Sequence, residues 1–135
     1  MKILITGGAG FIGSHLCDAL MERGHNLTVV DNLVLGRKEN ISHLLGKVGF
    51  EFIEEDLLHT EAMRDIFKDR KFDMVYHLAA NSDIQKGGKD PQVDYDLTFN
   101  TTFHVLRYLK EFGIKKFFFA STSAIYGETS DILNE

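Results

Sequence analysis

The chain has 135 residues, a length that suits one domain, and 44% of them are hydrophobic, eleven being Phe, which is enough to fill a core. Its formal net charge of −5 argues against nucleic acid or an anionic membrane as the main partner, although local donors can still bind a phosphorylated small molecule. The single cysteine, Cys17, cannot close an internal disulfide, as expected of a reduced cytoplasmic protein, and no apolar run approaches the roughly 20 residues of a membrane span.

The sequence opens directly on a strand-like run, Lys2–Thr6, with no signal-peptide pattern before it. Next comes Thr6-Gly7-Gly8-Ala9-Gly10-Phe11-Ile12-Gly13. Gly8, Gly10 and Gly13 satisfy G-x-G-x-x-G, while Gly7, Gly10 and Gly13 satisfy the wider G-x-x-G-x-x-G. Glycines here allow a sharp turn out of the strand, backbone approach to a pyrophosphate, and close packing of the following helix. That helix spans Phe11–Arg23, places Ile12, Leu16, Ala19 and Leu20 on one face, and ends at Gly24. Its free N–H groups and positive dipole end would point at the phosphates.

A second strand, Leu27–Asp31, ends in a carboxylate roughly 20 residues past the glycines. Asp31 there accepts from both hydroxyls of an adenosine ribose and repels the extra phosphate of NADP, so NAD is the expected cofactor. Arg37 and Lys38 follow, either as solvated loop charges or as a phosphate partner, within a short helix over Arg37–Leu45. Asp56 follows the third strand, Phe50–Glu54. It is either a turn carboxylate or an acceptor for the adenine amino group, with Leu57 against the ring. Thr60–Lys68 reads as a helix capped by Thr60, with Met63, Ile66 and Phe67 inward. A fourth strand, Asp73–Leu78, precedes a polar loop, Asn81–Asp90, whose Gly87-Gly88 pair suggests mobility. The longest helix spans Pro91–Phe112. Asp90 caps it, Pro91 suits its first turn and Gly113 follows its end. It aligns Leu97, Thr101, Val105 and Leu109. Lys116–Ser121 reads as the fifth strand.

Strands and helices alternate, and the strands are near-continuous apolar runs, as in a sheet buried on both faces. The fold class is α/β: a Rossmann-type, doubly wound parallel sheet in order 3-2-1-4-5, with the cofactor at the switch between strands 1 and 4. The six histidines show no grouping with cysteine or carboxylates, so no metal site is expected. His77 reads as a strand-end residue supporting the cleft.

These segments come in the order and places of a known family. Thr6–Gly13, Asp31-Asn32-Leu33, Gly36-Arg37-Lys38-Glu39-Asn40, Asp56-Leu57, His77-Leu78-Ala79-Ala80 and Ser121–Gly127 together resemble the extended short-chain dehydrogenase/reductase family. Within it, the match is to the nucleotide-sugar epimerase and dehydratase branch, and Asp31–Asn40 is similar to the UDP-glucose 4-epimerases. The resemblance implies backbone contacts from Phe11 and Ile12 to the pyrophosphate. It places Asn32 beside the adenosine, and Leu78, Ala79 and Ala80 along the cofactor cleft. It also gives Asn100 a place on the long helix near the active site.

The resemblance makes Thr122 the catalytic hydroxyl, bonded to the sugar oxygen being oxidised, with Ser123 as a second candidate. Ala124 cannot act as acid or base, which disfavours the branch's dehydratases. The family's Tyr-x-x-x-Lys pair is expected beyond Glu135, because Ser130 lies four positions after Tyr126. The expectation is an incomplete NAD-binding domain over residues 1–135, inactive alone and without a C-terminal substrate domain. The complete protein would be an NAD-dependent nucleotide-sugar epimerase. A reductase or dehydratase of the same branch, or a non-catalytic NAD-binding sensor, are the alternatives. Homodimerisation through helices that include the long one is also implied.

Overall fold

The computed structural model describes residues 1–122. Five parallel strands form one sheet in the order β3-β2-β1-β4-β5: β1 Lys2–Thr6, β2 Asn26–Asp31, β3 Phe50–Glu54, β4 Met74–His77 and β5 Lys116–Phe119. The expected strand order is therefore the observed one. Register is set by apolar side chains on both faces. Ile3, Leu4 and Ile5 of β1 are wholly buried, and β1 pairs with β2 from Lys2↔Asn26 to Thr6↔Val30. It pairs with β4 from Ile3↔Met74 to Thr6↔His77.

Because alternate strand residues point to opposite faces, the core falls into two layers. On one face Leu4, Val30 and Val75 meet α2 (Thr60–Arg70) and α5 (Thr101–Glu111) through Met63, Phe67, Val105 and Leu109. Burying a side chain as large as Phe67 contributes about 2–3 kcal/mol. On the other face Ile3, Ile5 and Val29 meet α1 (Phe11–Glu22) through Cys17 and Leu20. Ile41 and Leu44 of a 3-10 segment, Lys38–Leu44, complete that layer.

Four local expectations are corrected. The segment expected as a polar loop contains a helix, α3, Ile84–Lys89. Asp83 caps it by accepting from the Lys86 N–H at 3.1 Å, and the Asn81 side-chain amide ties the segment to Asp94 at 2.8 Å. Pro91–Phe112 is not one regular helix. α4 (Pro91–Asp94) passes into a π-helical stretch, Tyr95–Asn100, before α5. The Thr101 hydroxyl donates to the Leu97 carbonyl at 2.9 Å and the Thr102 hydroxyl to the Thr98 carbonyl at 2.6 Å. These hydroxyls compete with backbone amides for the same acceptors, and the turn widens. Thr60 is the first residue of α2 rather than its cap. His59 holds the cap position, with no side-chain bond to the helix. Arg37–Leu45 is realised only as the 3-10 segment. Asp90 does cap α4, accepting from the Gln92 N–H at 3.0 Å.

Candidate functional site

A cleft of about 540 Å³ opens at the carboxyl ends of β1, β2 and β4. One wall is the glycine loop. Gly7 has φ +73°, and a Cβ there would lie 2.7 Å from the Ala79 amide nitrogen, so the turn out of β1 tolerates only glycine. A Cβ on Gly13 would sit 2.3 Å from the Gly7 carbonyl oxygen, so α1 reaches the sheet only because that position is bare. Gly10 lines the cleft, and a Cβ there would meet only the Gly7 oxygen, at 3.2 Å. The cradle thus has room for a group against its backbone. The first amides of α1 have no acceptor within the helix, and the dipole's positive end lies there. Phe11 and Ile12 flank it, 78% and 68% exposed.

The second wall is the end of β2 and the loop after it. The Asp31 carboxylate accepts from the Ala9 N–H at 3.0 Å and from the Leu33 N–H at 2.9 Å. A carboxylate offers about four acceptor positions, so two remain for hydroxyls in the cleft, which Asp31 lines. The Leu33 bond is a two-residue turn closed by Asp31, and it holds Leu33 at φ 58°. Asn32 donates from its side-chain amide to Asp56 at 2.9 Å. Asp56 also accepts from the Leu58 N–H at 2.8 Å. Asn32, Asp56 and Leu57 therefore form one side of the cleft together. Nearby, the His59 ring bonds the Glu55 carboxylate at 2.6 Å and holds it below its usual range.

The third wall follows β4. Leu78, Ala79 and Ala80 line it, joined by Leu97, Thr101 and Ala120. Below lies His77, 1% exposed. Thr102 donates its hydroxyl to the Thr98 carbonyl, so its oxygen accepts from His77 Nε2–H at 3.0 Å. Nδ1 then accepts from the Thr6 hydroxyl at 2.7 Å. The ring is neutral, and burial pushes its pKa down to about 4. His77 thus ties β1, β4 and α5 beneath the cleft.

The structure brings together Gly7, Gly10, Phe11, Ile12, Gly13, Asp31, Asn32, Asp56, Leu57, Leu78, Ala79 and Ala80. Asn100 stands at the end of the π-helical stretch and is not among the lining residues. The widened turn presents Leu97 and Thr101 instead. Their inward helical row was visible in the sequence, but their approach to the cleft was not. Val34, Leu35, Gly36, Glu55 and Ser82 also line it. Val34 and Leu35 carried one signal, adjacency to Asp31, and Gly36 also opened the Gly36–Asn40 segment of the family resemblance. Thr122 lies exposed just beyond β5, and Ser123 lies outside the described residues.

A second hollow, about 410 Å³, sits at the opposite ends of the strands. Of the charged residues that line it, Lys2, Glu51, Asp69 and Arg70, Arg70 and Glu51 pair with each other at 2.7 Å. Among the described residues no three His, Cys, Asp or Glu side chains are grouped to hold a metal. No helix among them is long and apolar enough to cross a membrane.

A family model described as the NAD dependent epimerase/dehydratase family matches residues 3–135. A UDP-glucose 4-epimerase of Klebsiella pneumoniae is 33% identical over 135 residues, which are 98% of this chain and 96% of that one. UDP-glucuronic acid decarboxylase 1 of Danio rerio is 39% identical over 127 residues, 94% of this chain but 28% of its own length. The crystal structure of Thermus thermophilus UDP-glucose 4-epimerase in complex with NAD superposes with a TM-score of 0.90 at 35% identity, covering 100% of this chain and 43% of that one.

Proposed function

The chain belongs to the NAD dependent epimerase/dehydratase family, and from that membership we propose that it forms the cofactor-binding part of an enzyme that epimerises a nucleotide-diphosphate sugar. NAD is its cofactor. The observation that carries this reading is the joining of the glycine cradle and the Asp31 carboxylate in one cleft. Bound NAD supplies a hydride acceptor, so a sugar carbinol can be oxidised transiently and reduced again on its other face. In this reading the α1 amides hold the pyrophosphate, Asp31 holds the adenosine ribose, and Asn32, Asp56 and Leu57 surround the adenine. Asn100, outside the lining of the cleft, helps shape the active-site region from its helix in this reading. The Thr122 hydroxyl, with Ser123 as the second candidate, bonds the sugar oxygen as its proton leaves.

No tyrosine in the sequence is followed four positions later by lysine. A phenol whose pKa is lowered by such a lysine is the proton acceptor the family resemblance implies. We therefore propose that residues 1–135 bind NAD without turning over. Catalysis then needs a chain that also carries that pair and a substrate domain. The test incubates such a chain with UDP-, CDP-, GDP- and dTDP-glucose. Interconversion of epimers with no net NADH is expected, and NADH accumulating with product rejects epimerisation. A decarboxylase has a specific observation behind it as a second reading, the Danio rerio relative at 39% identity. Release of CO2 when UDP-glucuronic acid is supplied to that chain as a further substrate selects it.

A further inference from the structure

Ala9 stands in the middle of the glycine loop, and one segment of chain holds both polar atoms of its backbone. Its N–H donates to Asp31 at 3.0 Å. Its carbonyl accepts twice, from the Arg37 N–H at 3.0 Å and from the Asn40 side-chain amide at 2.8 Å. Asn40 is itself fixed. Its own N–H donates to the Arg37 carbonyl at 3.0 Å, and its neighbour Ile41 is wholly buried in the same core layer as Ala9 and Cys17. Neither Ala9 nor Asn40 lines the cleft, whereas Gly10, Phe11, Ile12 and Gly13 do.

This arrangement separates the loop's acceptor from its donors. A carbonyl facing the cleft would repel a pyrophosphate, and two donors hold this one away from it. The Arg37 contribution is a backbone group, which almost any residue supplies. The Asn40 contribution is a side chain, so residue identity matters there. We propose that Asn40 is a positioning residue for pyrophosphate binding. Its amide pins the Ala9 carbonyl and so presents the amides of Phe11–Gly13 to the phosphates, the Gly10 N–H being taken by the Gly7 carbonyl at 3.2 Å. This rests on the reading of the cleft as the NAD site.

The test compares two ligands on the full chain: ADP, which carries the pyrophosphate, titrated by calorimetry, and adenosine, which lacks it, titrated by NMR. Asn40→Ala is expected to weaken ADP by about three- to ten-fold, the effect of one neutral hydrogen bond. Adenosine should weaken by less than about two-fold, because its ribose contact at Asp31 is direct. Asn40→Asp, of the same shape, sets a carboxylate against the Ala9 carbonyl and should weaken ADP more than alanine does. It also carries the comparison should the alanine variant fail to fold. An equal loss for both ligands, or an unchanged ADP affinity, overturns the proposal. An unsubstituted chain that binds no ADP at all rejects the reading of the cleft itself, and the positioning role falls with it.

Discussion

Two backbone amides, those of Ala9 and Leu33, already occupy the Asp31 carboxylate before any ribose reaches it. Asp31 is the fastener of the glycine loop and, in the proposed reading, also a ligand-binding group, and the two roles separate experimentally. Asp31→Ala leaves two amides without their acceptor, at a cost on the order of 2 kcal/mol in urea unfolding. The same change should reduce NAD affinity at least about tenfold, the scale of a lost charged hydrogen bond. A variant that loses stability but keeps its NAD affinity removes Asp31 from the site. In the unsubstituted chain NAD should bind tighter than NADP, because the extra phosphate meets this carboxylate. Equal or tighter NADP binding contradicts that assignment. His77 offers a different reading, through pH. Its folded pKa of about 4 lies below the ordinary 6.5. The unfolded chain therefore takes up a proton first as pH falls. Stability is full above about pH 6.5 and declines towards pH 4, by about 3 kcal/mol in total. His77→Gln should flatten that part of the profile while lowering the melting temperature near pH 7. A profile with unchanged slope over that interval refutes the role.

Between elements, α5 is tied to α2 by the Arg64–Glu111 ion pair and by a phenol. The Tyr108 hydroxyl donates to the Thr60 carbonyl at 2.8 Å, while its ring tilts against Phe67 with 5.0 Å between centroids. Tyr108→Phe keeps the ring contact and should destabilise the chain by about 1 kcal/mol in thermal unfolding, with NAD affinity unchanged. A loss of affinity would mean that α5 communicates with the cleft through α2. The regular elements were legible in the sequence because their patterns are local. Ile3, Leu4 and Ile5 announce a doubly buried strand, and Asp90-Pro91 announces a helix start. The π-helical stretch was not legible. It depends on Thr101 and Thr102 hydroxyls choosing carbonyls four residues back, a choice tertiary contact with His77 reinforces. The same cause hid Leu97 and Thr101 as cleft residues, since regular spacing alone does not tell which helical position reaches the cofactor end. α3 escaped because Gly87-Gly88 argues against a helix, whereas the Asp83 cap and the Asn81–Asp94 tie supply what the glycines lack.

Across the molecule, apolar side chains remain on one side of the long helical run. Tyr95, Phe99 and Phe103 are 53%, 59% and 48% exposed, and they stack in sequence. Phe118 and Phe119 on β5 are 47% and 44% exposed. β5 is one of the sheet's two edge strands among the described residues, and exposed apolar edges favour association. The proposed homodimer through the long helix predicts a concentration-dependent mass in sedimentation equilibrium that Phe99→Glu returns to the monomer. A monomeric unsubstituted chain rejects it. The glycine cradle, the Asp31 carboxylate and the β4 wall meet only because the strand order brings β1 between β2 and β4. In the proposed reading, NAD bound there touches all three. The most direct measurement is a crystal structure of the chain with NAD. The pyrophosphate is expected against the backbone of Gly10–Gly13, with the adenosine ribose hydroxyls within hydrogen-bond distance of Asp31. NAD seated elsewhere, or a ribose that leaves the Asp31 carboxylate untouched, contradicts it.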